Sequence, residues 1–418
     1  MNFSFIDIVV FTMTGIRILE RTFFHVYKWQ LIEYRWDRYR AFLRSREGAW
    51  LLLHPWYWLG VGLYSMTGFY RIDRSIFFLD SLAYAMAFYP IFSGVLSFVR
   101  IFRRNIRYPK PTGRASAITV LALFSLLVPV ILSYIYNQFL FNNYSPAFSI
   151  LLRSLYWLLY YAPIGALVAT PLIVTFFVYC TSFPANYFKR RTIEKAKTKM
   201  ASLPNLKVIG ITGSYGKSST KEFLATILFT KYKVCKTPAN RNSEIGVAQT
   251  VLRDLKPEHE IFIVEMGAYR RGEIKAICDI VQPTIGVLTA INEQHLALFG
   301  SLEETKKAKY ELIEALPENG LAVFNLDNSA TRSLADETLK PKRTYSTERP
   351  ADVRASAITV QSEKLSFITE IVSLESRDTI SPYRIEANLL GSFHVSNLLA
   401  AITVAQSLGM TSQEISEA

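Results

Sequence analysis

Cysteine is scarce in this chain: three residues in 418, at Cys180, Cys235 and Cys278, with no CxxC pair among them. That excludes a disulfide framework and argues against a cysteine zinc site, leaving bland thiols that face lipid or a reducing compartment. Acidic residues are scarce in one half only. Residues 1–200 carry 23 Lys+Arg against 8 Asp+Glu, a balance of +15, whereas residues 201–418 carry 24 against 26, a balance of −2. The basic excess therefore belongs to the first half and is not a nucleic-acid footprint of the second. The N-terminus lacks a basic stretch followed by an apolar run and a small-residue cleavage site, which argues against a secretory signal peptide. Paired charges inside apolar stretches, the mark of a transporter, are also missing.

What is abundant is apolar sequence, 50% of the residues. Five stretches stand out, at about 3–19, 49–70, 77–99, 115–140 and 155–182, and the last four reach the ~20 residues that cross a bilayer. The first, with Asp7 and Arg17, is either a span or an interfacial helix. Asp80 lies near an expected interface, within reach of water. The loops at 20–48, 100–114 and 189–199 carry seven, six and six basic residues. By the positive-inside rule they face the cytoplasm, giving four or five spans with everything after 183 inside. The 20–48 stretch mixes aromatics with arginines and reads either as an amphipathic helix on anionic lipid or as a cytoplasmic extension of the first span.

The second half alternates short apolar runs with amphipathic ones. Strands are expected at 207–212, 261–265, 285–289 and 321–325, and helices at 218–229, 243–255, 272–280, 301–316 and 394–408. Between 343 and 390 short alternating runs predict a small antiparallel insertion. The fold class expected is thus a polytopic α-helical membrane region followed by an α/β P-loop domain, mostly a parallel sheet with helices on both faces. The boundaries expected are 1–188 for the membrane region, 189–204 for a basic linker and 205–418 for the nucleotide domain.

The chemistry concentrates in VIGITGSYGKSSTKE, residues 208–222. An apolar strand feeds a glycine turn, Gly213-Ser214-Tyr215-Gly216-Lys217-Ser218-Ser219, which feeds a helix. Such a turn lets backbone N–H groups and the helix N-terminus surround a phosphate. Lys217 would sit on the terminal phosphates, and the Ser218 hydroxyl would face Mg²⁺. The general P-loop pattern wants glycine where Ile211 stands, so the match is incomplete. Glu265 ends the apolar strand IFIVE, at the sheet edge where open α/β folds bind ligands, and is a candidate Mg²⁺ ligand or else a salt-bridging carboxylate. Asn240 and Asn242 precede a helix and are candidates for substrate anion contact, or simple caps with Ser243. His295, after a further strand, is a candidate metal or phosphate contact or a surface polar residue. By spacing alone Lys309 belongs to a solvated basic face.

In their order these segments resemble the central domain of the Mur ligases, the ATP-dependent amide-forming enzymes of peptidoglycan precursor synthesis. GITGSYGKSSTKE, NRNSEIGV, VEMGAYRRGEI, INEQHLALFGSLEETKKAKYELI, FNLDN and GSFHVSNLLAA carry the likeness over roughly 205–410, most closely to the D-alanyl-D-alanine-adding branch. The resemblance implies an ATP-dependent acid–amino-acid ligase. Gly213, Ser214, Tyr215, Gly216, Lys217, Ser218 and Ser219 would bind ATP, with Asn397 and Asn325 near adenine and ribose, and Asp327 less directly. Lys217, His295 and Lys309 would be catalytic. Ser218, Glu265, His295 and Lys309 would hold two Mg²⁺ ions, with Lys309 carbamylated. A UDP-linked or lipid-linked muramyl peptide and an amine such as D-alanyl-D-alanine would be the substrates, at the bacterial cytoplasmic membrane, with the nucleotide domain in the cytoplasm and no nucleic acid involved. Phe393 and His394 stand where the family has His and Asn. A membrane region replaces the family's soluble N-terminal domain, and the chain ends at Ala418, before the C-terminal domain, so a further chain supplying that domain is an expected partner. The alternatives are a polyglutamate-type amide ligase and a catalytically weak nucleotide-binding scaffold for cell-wall enzymes.

Overall fold

The computed structural model describes residues 5–32, 34–45, 94–101, 103, 108–143, 162–292, 301–361, 364–372, 379–389 and 391–418. They fall into two compact units, Met1–Asn186 and Tyr187–Ala418.

In the first unit α1 spans Phe5–Leu31, α2 Trp36–Arg44 and α3 Gly113–Asn143, and α4 (Ala162–Ala201) begins there. Trp29 of α1 stacks on Tyr39 of α2, with ring centroids 3.9 Å apart, and both join Ile118, Ala122 and Val174 in a small core. Glu20 pairs with Arg17 and, at 3.0 Å, with Arg100. Among the described residues one helix is long and apolar enough to cross a membrane, over the 20 residues Gly113–Leu132 of α3. The expected spans at 49–70 and most of 77–99, with Asp80, lie outside the described residues.

The second unit is built on one nine-stranded sheet in the order β2-β3-β1-β4-β5-β6-β7-β8-β9. The strands are β1 Lys207–Thr212, β2 Val234–Lys236, β3 Ile261–Glu265, β4 Ile285–Leu288, β5 Leu321–Asn325, β6 Lys342–Ser346, β7 Val353–Gln361, β8 Lys364–Val372 and β9 Thr379–Ala387. β2 through β7 pair in parallel, whereas β8 and β9 return as an antiparallel meander. The antiparallel strands are therefore an extension of the main sheet, joined to it by β6, a strand the sequence pattern did not separate from the insertion.

Alternation along each strand divides the core into two layers. Val208, Phe262, Val264, Leu288 and Phe324 face one layer with α6 (Glu244–Arg253), α7 (Glu273–Val281), α8 (Leu302–Glu314) and α9 (Ser329–Glu337). Ile209, Ile211, Ile261, Ile263, Val287 and Val323 face the other, with α5 (Lys217–Phe229) and α10 (His394–Ser407). A short α11, Ser412–Glu417, follows a capping box between Thr411 and Glu414. Each fully buried aliphatic side chain contributes about 1.5–3 kcal/mol, so both layers are needed to hold the strand ends in place. The stretch 189–201, expected as a linker, is the end of α4. Its Ile193 and Ala196 enter the first layer, and Lys199 donates to the carbonyls of Leu252 (3.2 Å) and Leu255 (2.6 Å). Buried Cys235 and Cys278 have thiols pushed up by desolvation, to about 11 and about 12, and are inert.

Candidate functional site

Because β1 lies between β3 and β4 and all three run the same way, the segments following them meet at one edge of the sheet. The register places Ile211 beside Glu265, so the glycine turn begins next to that carboxylate.

The turn is pinned from β4. Ser214 N–H donates to the Ala290 carbonyl (2.6 Å), Thr289 Oγ1 to the Tyr215 carbonyl (2.6 Å), and Asn292 N–H to Ser214 Oγ (3.1 Å). Asn328 holds the same segment by accepting from Ile291 N–H and donating to its carbonyl. Gly216 has φ +83°, and a Cβ there would collide with Asn397 Oδ1. Only glycine combines this left-handed turn with so close a neighbour. No side chain among the described residues caps α5, so the N–H groups of its first turn remain for an anion.

Lys217 curls back over the turn. Its Nζ donates to the carbonyls of Gly213 (2.6 Å) and Ser214 (3.2 Å). Burial lowers its pKa, opposed by the charge of Glu265. One helical turn on, Lys221 is 1% exposed and donates to Glu265 Oε2 at 3.1 Å. Asn242 Nδ2 donates to Glu265 Oε1 at 3.0 Å, and the Glu265 N–H donates to Thr237 Oγ1 at 3.0 Å. Burial alone would raise the Glu265 carboxyl; the hydrogen bonds from Asn242, Lys221 and Ser218, with the Lys221 charge, outweigh it and hold the group ionised, below the usual carboxylate value. The carboxylate has about four acceptor positions, of which these donors take three. The remaining one, with the exposed Ser218 hydroxyl, suits a hard cation such as Mg²⁺.

Lys309, on α8, is 4% exposed. Burial first, then the Lys217 charge, lowers its pKa from 10.5 to about 7, while Glu273 and Glu311 pull it back. The basic-face reading from spacing is corrected here: α8 turns Lys306 and Lys307 outward and Lys309 inward, toward Lys217. Near neutral pH much of this amine is unprotonated and nucleophilic, as carbamylation by CO₂ requires.

The other described candidate residues lie on and around the turn, apart from the exposed Asn240. Asn325 is turned inward: Nδ2 donates to the Thr289 carbonyl (2.9 Å) and Ser396 Oγ (3.1 Å), and Oδ1 accepts from Asp327 N–H (2.9 Å). Its amide ties β4, β5 and α10 together beside the turn. Asp327 accepts from Ser346 and from Thr347, and belongs to the 346–348 turn. Asn397 lies beneath Gly216, accepting from Thr220 Oγ1 at 3.4 Å. Asn242 faces Glu265, while Asn240 is exposed with φ +62°. Ser243 caps α6. His295 lies outside the described residues, among which no three His, Cys, Asp or Glu gather as a metal cluster. Lys221 had no assigned role in the sequence; its signals were its place in the GITGSYGKSSTKE run that carries the resemblance and its spacing four residues after Lys217.

Residues 211–405 match the Mur ligase middle domain. The second half of this chain is similar to the Mur ligase middle domain. Over 209 residues the chain is 39% identical to UDP-N-acetylmuramoyl-tripeptide–D-alanyl-D-alanine ligase of Synechocystis, covering 50% of this chain and 42% of that protein. It is 34% identical over 207 residues to the Escherichia coli protein of the same name, covering 49% and 44%. A crystal structure of MurF from Acinetobacter baumannii matches with a TM-score of 0.50 at 26% identity, over 55% of this chain and 48% of that one. The chain thus spans under half the length of these curated relatives. Within the matched residues the glycine turn, Glu265 and Lys309 lie on adjoining strand ends and helices.

Proposed function

We propose that this chain is an ATP-dependent carboxylate–amine ligase of peptidoglycan precursor synthesis, MurF-like, joining D-alanyl-D-alanine or a similar amine to a UDP-linked or lipid-linked muramyl peptide. The observation that carries this reading is the meeting of Lys217, the Glu265 carboxylate and the buried Lys309 around an uncapped helix N-terminus. A substrate carboxylate attacks the γ-phosphorus of ATP, ADP leaves, and the amine displaces phosphate from the acyl phosphate to form the amide. Two anions must approach each other, so cationic groups dominate the barrier. Lys217 exchanges its bonds to the Gly213 and Ser214 carbonyls for the β- and γ-phosphate oxygens, and the α5 N–H groups hold the phosphate between them. Mg²⁺, when bound, neutralises the phosphate oxygens and the developing charge. Ser218 and Glu265 would hold it, with His295. Lys309, once carbamylated, would add a carboxylate for a second Mg²⁺.

The first half is read as the anchor of this domain: a multi-pass region of the bacterial cytoplasmic membrane, with the ligase domain on the cytoplasmic side. The apolar helix Gly113–Leu132 is long enough for one span, and the apolar runs and basic loops of the sequence suggest the others.

The test is MgATP binding to the detergent-solubilised chain by calorimetry, followed by ADP release with UDP-muramoyl tripeptide and D-alanyl-D-alanine. Lys217→Ala is expected to weaken nucleotide binding about 100-fold and to abolish ADP release. Unchanged affinity refutes the phosphate-site reading.

A further inference from the structure

The Lys221–Glu265–Asn242 arrangement asks for more than structural support. Lys221 is 1% exposed and Glu265 is 4% exposed at the side chain, so the pair is withdrawn from water. A buried ion pair costs desolvation at both ends, and apolar residues of similar size often serve stability as well. Here the pair stands at the edge of the sheet beside the phosphate turn, on the helix the turn feeds.

We propose that Lys221 and Asn242 act as a two-pronged positioning clamp that orients the Glu265 carboxylate for a divalent cation; the proposal rests on the reading of Glu265 as a metal ligand. Each prong takes a different oxygen: Lys221 takes Oε2 at 3.1 Å and Asn242 takes Oε1 at 3.0 Å. Both torsions of the carboxylate are thereby set, and its one free acceptor position points where Lys221 and Asn242 do not. The clamp is itself braced. Lys221 also pairs with Glu222 at 3.4 Å, and Glu222 pairs with Lys236 at the end of β2. Asn242 is held through its carbonyl, which accepts from Gly267 N–H at 2.8 Å, and Thr237 fixes the Glu265 backbone. Residues from the stretches 221–222 and 236–242 thus converge on the carboxylate that ends β3. Outer groups of this kind change metal affinity 10–100-fold when removed.

The experiment measures the Mn²⁺ concentration that half-saturates ADP binding to the full chain, read by water-proton relaxation, with the thermal midpoint of each variant alongside. Lys221→Met and Asn242→Ala are each expected to raise that concentration at least about tenfold. Lys221→Arg, which keeps the charge, is expected to recover part of the loss. In a Glu265→Gln background Lys221→Met is expected to add nothing, because the group it orients is gone. That background also removes the unpaired buried carboxylate, so the double variant folds even where Lys221→Met alone is unstable. If Lys221→Met, Lys221→Arg and Asn242→Ala keep the wild-type Mn²⁺ requirement while Glu265→Gln loses it, the clamp is refuted and Glu265 remains a ligand. If Glu265→Gln also keeps it, the metal-ligand reading falls and the clamp with it.

Discussion

Replacing Lys309 by methionine should make this protein more stable at neutral pH, although Lys309 belongs to the site. A lysine is charged when protonated, and burial lowers the folded-state value from 10.5 to about 7. Between these values the unfolded chain binds the proton and the folded chain does not, so stability rises with pH across that window. The unfavourable contribution is complete below pH 7 and is lost as pH approaches 10.5. A displacement of this size corresponds to about 4 kcal/mol at pH 7, at ~1.4 kcal/mol per unit. Relaxation and water entry trim it to an expected gain of about 2–4 kcal/mol for Lys309→Met, or roughly 5–10 °C in midpoint for a domain of this size. The assay is thermal unfolding followed by circular dichroism from pH 6 to 10, in CO₂-free buffer. Wild type should gain stability across that range relative to Lys309→Met, whose curve lacks this component. Added bicarbonate should stabilise wild type alone, with a labile carboxyl adduct on Lys309 by mass spectrometry. Parallel pH curves, or a variant less stable than wild type at pH 7, would refute the account of Lys309 as a desolvated amine.

Gly216→Ala should cost about 1–2 kcal/mol and weaken ADP binding about tenfold, because φ +83° and the Asn397 contact leave no place for a methyl group; calorimetry and urea midpoints measure both. Asn325→Ala should act on stability first, by about 1–3 kcal/mol in urea unfolding, since it orphans the Asp327 N–H and leaves the Thr289 carbonyl only the Tyr345 hydroxyl at 3.5 Å; a loss of nucleotide affinity with unchanged stability would contradict the inward placement.

Much of the second unit was legible from local pattern. The apolar runs at 207–212, 261–265, 285–289 and 321–325 became parallel strands, and the helices following them start within about a residue of expectation, because period-2 and period-3.6 patterns report which faces are buried. Less legible were short or polar elements: β2 is three residues long, and α9, Ser329–Glu337, carries too few apolar residues to announce itself. The glycine turn was readable as a phosphate cradle because its chemistry is local, a backbone that must bend beside a helix start.

The sequence by itself therefore determined the strand–turn–helix of Gly213–Lys217 and the placing of Glu265 at a strand end, since both depend only on neighbours along the chain. Tertiary structure alone decided the rest. It buried Lys309, which spacing assigned to solvent; it turned Asn325 into a brace between strand ends; and it brought Lys221 against a carboxylate 44 residues away. Burial and pairing of charge are properties of what packs against a side chain, and that partner is chosen by the order of the strands in the sheet.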